Sequence, residues 1–173
     1  MEEIQPDGLK RTILEAFKDV RKGNGVGVRE TAALDDWKEG KELAEARAGD
    51  VEEHWWQIPE EWKGALAESF SFTDIEGLRF LLPAALYAVL DENERAGDIA
   101  HAIFFKLCHL QPGVERPHHG HKEYTEYVKN ISPKKIAEHY GFTAAQVHAI
   151  ALYFLWWMQM DGSYLFDITT TEQ

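Results

Sequence analysis

Three histidines with the spacing of metal ligands lie in the segment RPHHGHKEY. They are His118, His119 and His121. Imidazole nitrogens at this spacing in a loop can bind zinc or nickel, and a carboxylate from Glu123 or Glu126 could complete the ligand set. Catalytic zinc sites usually draw their ligands from a rigid helix, as in H-E-x-x-H, and that motif does not occur here. Solvated histidines in a polar loop explain the same residues, so a metal-dependent enzyme is the alternative hypothesis.

The sequence shows no set of residues for nucleophilic catalysis. The single cysteine, Cys108, stands beside His109, but adjacent residues of a helix point in different directions and cannot act as nucleophile and base. No G-x-S-x-G segment occurs. Acidic pairs such as Asp35–Asp36 are expected at helix starts, where they interact with the positive end of the helix dipole. These observations argue against an enzyme, and no cofactor is expected.

Two clusters of tryptophan are candidates for a binding surface. Trp55 and Trp56 are followed by Trp62, and a second pair, Trp156 and Trp157, lies near the C-terminus. Tryptophan is enriched at binding hot spots, although packing into one aromatic core is the other explanation. An apolar patch rimmed by glutamates would suit a basic partner protein. The candidate binding residues are Trp55, Trp56, Trp62, Glu52, Glu53, Glu60 and Glu61.

The segment Pro133–Ile150 has the residue frame of a DNA-binding helix-turn-helix. Ser132 and Thr143 are suitable N-caps, and Gly141 separates the two helices. The second helix carries no Lys or Arg from Thr143 to Trp157, although such side chains supply most of the affinity for DNA phosphates. A DNA-binding regulator is therefore the second alternative. The preferred interpretation is a helix pair that holds the C-terminal helix in the core.

The helices that position these residues are predicted from the N-terminal part of the chain onward. Apolar residues from Leu9 to Val20 recur every three or four positions and predict a first helix, which ends at the glycine-rich segment RKGNGVG. The segment from Ala32 to Asp50 is predicted to be one helix with Trp37 on its inner face. Asp50 itself is expected to cap the following turn, VEEHWW.

The centre of the chain is the most apolar part of the sequence. Thr73 and Glu76 form a capping box ahead of LRFLLPAALYAVL, where Pro83 is expected either to kink the helix or to start a new one. Strand signals are nearly absent. We therefore predict an all-α fold, a single globular domain over residues 1–173 with seven to nine helices and a C-terminal αα-hairpin.

The charge of the chain restricts its partners. The 18 Lys and Arg residues against 30 Asp and Glu residues give a formal net charge of -12. Such a field repels nucleic acids and anionic membranes and attracts basic proteins. No secretory signal is visible, and the longest apolar run is too short to span a bilayer, so a cytoplasmic location without membrane association is expected.

Two segments carry a resemblance to a known family. HWWQIPEEW and FSFTDIEGLRFLLPAALYAVL look like the W-x-I-P stretch and the aromatic helix ending in L-P-A of an uncharacterised family of small bacterial proteins. The similarity covers Leu9 to Leu90. It implies a bacterial origin and a shared helical core, and it transfers no catalytic residue.

The leading functional hypothesis is a non-enzymatic protein-binding module. The acidic charge, the small size and the tryptophans favour an immunity or antitoxin-like protein that neutralises a basic partner.

Overall fold

The computed structural model describes residues 3–50, 53–92, 94–109 and 133–160, and within these ranges the chain is helical without a β-strand. A short 3₁₀ turn occupies Trp55–Gln57. The predicted all-α fold is confirmed. The α-helices in the described ranges are α1 (Pro6–Phe17), α2 (Val28–Asp35), α3 (Gly40–Gly49), α4 (Glu60–Lys63), α5 (Leu66–Ser69), α6 (Ile75–Leu90), α7 (Ala96–His109), α8 (Pro133–Tyr140) and α9 (Ala144–Met160).

Helix α6 is the centre of the fold. Twelve of its 16 residues are buried, so it has no polar face. Helices α1 and α7, the 3₁₀ turn and the short helices α4 and α5 pack around it. Pro83 lies inside this helix, which continues through it from Ile75 to Leu90. Of the two outcomes open at Pro83, the structure therefore excludes a stop followed by a new helix.

Helix α9 packs along α1 on the outside of this centre. Ala149, Ile150, Tyr153 and Trp156 are buried in the same core cluster as the inner face of α1. In the part of the chain that the structure describes, no helix combines the length and the apolar character needed to cross a membrane.

The glycine-rich segment after α1 packs tightly over the start of α6. Asp74 begins α6, and its Oδ1 accepts hydrogen bonds from the backbone N–H of Gly77 at 2.7 Å and of Val26 at 3.2 Å. A Cβ atom on Gly25 or on Gly77 would collide with the backbone of the other segment. The N-cap of α6 is thus Asp74, and the predicted capping box at Thr73 is wrong by one residue.

The predicted helix from Ala32 to Asp50 is wrong, because the chain divides into α2 and α3. Helix α2 ends in a Schellman motif: Trp37 N–H bonds to the carbonyl of Leu34 at 3.1 Å, and Lys38 N–H bonds to that of Ala33 at 2.9 Å. Trp37 takes the left-handed position of this motif, with φ of 56°. The side chain is 91 % exposed, so the predicted inner-face position is also wrong.

Tryptophan is an unusual residue at that position. A left-handed backbone costs a residue with a Cβ about 1–2 kcal/mol relative to glycine, which is why glycine dominates there. Helix α8 ends in the same motif with the usual residue, Gly141 at φ of 65°, followed by a bond from Phe142 N–H to the carbonyl of Ala137.

Asp50 joins α3 to the start of α2 rather than capping the turn after it. Its two carboxylate oxygens accept hydrogen bonds from the backbone N–H groups of Arg29 and Glu30, each at 2.9 Å. Burial raises the pKa of Asp50, and the two N–H donors oppose that shift. The prediction that Asp50 caps VEEHWW is therefore wrong. The acidic pair Asp35–Asp36, which was predicted at a helix start, lies instead at the end of α2.

A second polar link holds the same two helices together. The carboxylate of Glu30, which is buried, accepts hydrogen bonds from the guanidinium of Arg47 on α3, with an Nε–Oε1 distance of 2.9 Å. Helix α3 has no buried residue of its own, and it packs chiefly against α2. It is attached to the molecule without contributing to the core.

Neighbouring residues of α1 provide a test of this architecture. Ile13 is fully buried, whereas Leu14 is 38 % exposed. We expect Ile13→Ala to lower the free energy of unfolding by about 2–5 kcal/mol and Leu14→Ala to lower it by about 1 kcal/mol or less. Urea denaturation followed by circular dichroism measures both. Equal losses for the two variants would contradict the assigned face of α1.

Candidate protein-binding site

Trp55 is a core residue in the structure. It is 2 % exposed, and its indole Nε1 donates a hydrogen bond to the carbonyl of Phe17 at 3.1 Å. Its ring lies 5.1 Å from the ring of Tyr87, between α1 and α6. A direct contact between Trp55 and a partner is therefore not available in this structure, and its role is to support the residue that follows it.

Trp56 lies on the surface above Trp55. It is 46 % exposed, and it stacks on the imidazole of His54 with ring centroids 4.3 Å apart and an interplanar angle of 11°. Its ring meets Trp55 edge to face at 5.4 Å. The 3₁₀ turn is fixed by Gln57, whose Oε1 accepts hydrogen bonds from the backbone N–H of His54 and of Glu53. Trp56 is therefore a pre-organised, half-exposed aromatic ring.

Trp62, on α4, lies beneath a cation from another helix. The guanidinium carbon of Arg29 is 3.9 Å from the centroid of its ring, a cation–π contact between α2 and α4. The Trp62 side chain is partly buried and packs against the core cluster. The cation–π contact occupies one face of the ring, so Trp62 offers less free surface than Trp56.

The glutamates predicted to rim the patch are placed as follows. Glu53, Glu60 and Glu61 are exposed, whereas Glu52 lies outside the described residues. Glu53 is 3.9 Å from Arg21, and Glu60 is 2.5 Å from Lys63. Exposed ion pairs of this kind contribute little to stability because water screens them. Of these three glutamates, Glu61 is the one without an ion-pair partner in the described ranges.

The second tryptophan pair belongs to the core side of α9. Trp156 is buried and Trp157 is partly buried, and their rings lie 6.4 Å apart beside Tyr153. Burial raises the pKa of the Tyr153 hydroxyl well above its ordinary value. The two clusters therefore belong to one continuous core, and Trp56 alone among their five members is exposed.

The helix-turn-helix frame forms two helices, as predicted. Gln146 is buried, and it forms a capping box with Thr143: its Oε1 accepts from Thr143 N–H at 3.0 Å, and Thr143 Oγ1 accepts from Gln146 N–H at 3.3 Å. His148 is exposed, as are Lys134 and Lys135 on α8. The side chain of Gln146 therefore caps the helix start and does not project outward to meet a base. A DNA-binding regulator stays an untested alternative.

The candidate metal ligands His118, His119 and His121 lie outside the described residues. Within the described ranges, no group of three or more His, Cys, Asp or Glu side chains is arranged to hold a metal ion. Zinc or nickel binding by the histidine loop therefore stays an untested alternative.

The most exposed aromatic residue in the described ranges, Trp37, was not among the predicted site residues. Trp37 projects from the turn between α2 and α3, flanked in the sequence by Asp35, Asp36 and Glu39. The signal available in the sequence was the acidic composition around a lone tryptophan. Helical periodicity predicts a buried position for Trp37 instead, because in a single unbroken helix its ring would lie on the inner face.

Fold and surface together define an all-α protein with two exposed tryptophans in its described ranges, Trp37 and Trp56, of which Trp56 is fixed by stacking. The chain belongs to the family of unknown function DUF6714, whose model matches residues 5–164. The resemblance over Leu9 to Leu90 predicts membership of an uncharacterised family. The family match covers that segment and also most of the C-terminal half. No curated protein and no solved structure matches the chain.

The adjacent tryptophans allow a sharp test of the site's architecture. We expect Trp55→Ala to lower the free energy of unfolding by about 3–5 kcal/mol, because it empties a core position and removes the bond to Phe17. Trp56→Ala should cost about 1 kcal/mol, since nearly half of its surface is already in water. Thermal and urea unfolding measure both variants. A Trp56 variant as unstable as the Trp55 variant would show that Trp56 is a structural residue.

Proposed function

We propose that this protein is a non-enzymatic binding module that neutralises a basic partner protein, in the manner of an immunity protein or antitoxin. The observation that carries the proposal is Trp56, a half-exposed aromatic ring fixed in place by a core tryptophan and a stacked histidine. A rigid aromatic residue loses little conformational entropy on binding, which is why such residues dominate binding energy.

The charge of the molecule supports a basic partner. A net charge of -12 speeds association with a cationic surface and opposes binding to polyanions. Glu53, three residues before Trp56, is exposed and is only weakly held by Arg21 at 3.9 Å. A partner cation can replace that contact at little cost, because exposed ion pairs are weak.

The setting of the proposed function is a bacterial cytoplasm. The bacterial origin rests on the resemblance of HWWQIPEEW and FSFTDIEGLRFLLPAALYAVL to small bacterial proteins. A toxin that binds nucleic acid is commonly basic, and an acidic protein that covers its cationic surface would block it by charge and shape.

Recovery of the native complex tests this proposal. The tagged protein is expressed in its own host, purified at low ionic strength, and analysed by native mass spectrometry. We expect a single predominant partner with an excess of Lys and Arg, released when the salt concentration is raised because salt screens charge complementarity. Recovery of the protein as a free monomer at low salt would contradict the proposal.

The contribution of Trp56 is tested on the recovered complex. We expect Trp56→Ala to weaken binding by at least about 2 kcal/mol, roughly thirtyfold in Kd, as for other aromatic hot spots. Phe105→Ala is the control, because Phe105 is an exposed aromatic residue on α7. Calorimetric titration measures both variants. Equal losses for the two would show that Trp56 has no special role.

A further inference from the structure

The tip of the α2–α3 pair, with Trp37 at its end, is a surface that neither the core nor the Trp56 region explains. Trp37 is almost fully exposed at 91 %, more than any other large apolar side chain in the described ranges. It also occupies the left-handed position that ends α2, with φ of 56°. The chain therefore holds a bulky ring in water at a position where glycine would fold more easily.

Helix α3 gives a second, independent reason to look here. It has no buried residue and packs chiefly against α2. A helix of this length is marginal by itself in water, and it persists through its contacts with α2, which include the Glu30–Arg47 pair. Since α3 adds nothing to the core, its outer side is free to serve recognition.

The space between the two helices is lined by apolar side chains and by three carboxylates and two cations. An open groove of about 310 Å³ runs along α2 and α3. Its lining combines the apolar side chains of Ala32, Ala33 and Ala46 with charged side chains of both signs, those of Arg29, Lys38, Asp36, Glu42 and Glu45. Lys38 pairs with Asp36 and Lys41 with Glu45, so Glu42 is the lining carboxylate without an ion-pair partner in the described ranges. Lys and Arg side chains bury their methylene stems on such apolar surface while the charged group stays with carboxylates at the edge.

The charged side chains of the tip indicate which kind of molecule can bind there. Asp35, Glu39 and Glu42 are exposed, and the structure gives them no ion-pair partner in the described ranges. Lys38 and Lys41 pair with Asp36 and Glu45 and neutralise only those two carboxylates. A second copy of this chain carries the same charge of -12 and is repelled, as are nucleic acids and anionic membranes.

We propose that the α2–α3 tip is a docking surface for an arginine- or lysine-rich segment of a partner protein, with Trp37 as its anchor. An arginine of the partner stacks on the Trp37 ring, and neighbouring cations meet Asp35, Glu39 and Glu42. The inference rests on the proposed basic partner, and it places a contact with that partner on a surface separate from Trp56.

The experiment uses a short synthetic peptide that alternates arginine and alanine, labelled with fluorescein, and a matched peptide with glutamate in place of arginine. Binding to the full-length protein is followed by fluorescence anisotropy at low salt. The indole N–H signal of Trp37 is followed by NMR and assigned from the Trp37→Gly spectrum. We expect the arginine peptide to bind and to shift that signal, and the glutamate peptide to do neither.

Trp37→Gly is the decisive variant, because glycine favours the left-handed backbone and the variant should fold at least as well as the wild type. We expect it to weaken binding of the arginine peptide at least about tenfold, and the control Phe105→Ala, at an exposed aromatic residue outside both proposed surfaces, to weaken it less than about threefold. The charge test compares Asp35→Asn/Glu39→Gln/Glu42→Gln with Asp7→Asn/Glu15→Gln/Asp19→Asn, three exposed carboxylates outside both proposed surfaces. Both triple variants remove three negative charges, and only the first should lose binding at least about tenfold.

Each other result overturns the inference. Wild-type affinity in the Trp37→Gly variant, equal losses in the two triple variants, or binding of the glutamate peptide would each show that the tip does not recognise cations. Loss of peptide binding in Trp56→Ala alone would move the contact to the other surface and leave the proposed function standing. Failure of the proposed function is recognised separately, by the absence of any basic partner in the native complex.

Discussion

The burial of α6 on nearly all sides is the constraint from which the rest of the structure follows. A helix without a polar face is stable in water only when other elements cover it, and here α1, α7, the 3₁₀ turn and the short helices α4 and α5 do so. The turn that covers α6 carries Trp55 inward, and this fixes its neighbour Trp56 at the surface. The exposed aromatic ring is thus a consequence of how the core is closed.

The attachment of α2 and α3 follows a different physical principle. Apolar burial is minor in α3, and polar contacts connect it to the body of the protein: the carboxylate of Asp50 on the backbone of α2, and the pair formed by Glu30 and Arg47. On the core side, Thr31 of α2 donates a hydrogen bond to the hydroxyl of Ser69 at the end of α5. The molecule therefore consists of an apolar centre and the α2–α3 pair, in which α3 is attached by polar contacts. Of the two proposed surfaces, the one at Trp56 lies beside the apolar centre and the one at Trp37 lies on the α2–α3 pair.

Much of the fold could be predicted from the sequence, because apolar periodicity is a local property. The repeat from Leu9 to Val20 gave α1, and the apolar run around Pro83 gave the central helix. The capping interactions were harder to predict, because their hydrogen-bond partners are distant in the sequence. Asp50 accepts from the backbone N–H of Arg29 and Glu30, and Asp74 also accepts from that of Val26. No sequence rule places those groups side by side.

The candidate site was predicted less well, for a physical reason. Trp55 and Trp56 are chemically identical neighbours, and only the packing of distant helices makes one a core residue and the other a surface residue. Trp37 is predicted to face inward because the segment is predicted to be one continuous helix, and a tryptophan gives no sign of the left-handed helix end that the structure has there. The histidine loop lies outside the described residues, and its metal chemistry stays an untested alternative.

The absence of buried residues in α3 has an evolutionary consequence. Substitutions on its outward side change few folding contacts, so they cost little stability, whereas the twelve buried residues of α6 are held in place by close packing around them. Relatives of this protein can therefore diverge in α3 without losing the fold. In the proposed binding role, partner specificity would then change from one lineage to the next on a scaffold that itself hardly changes.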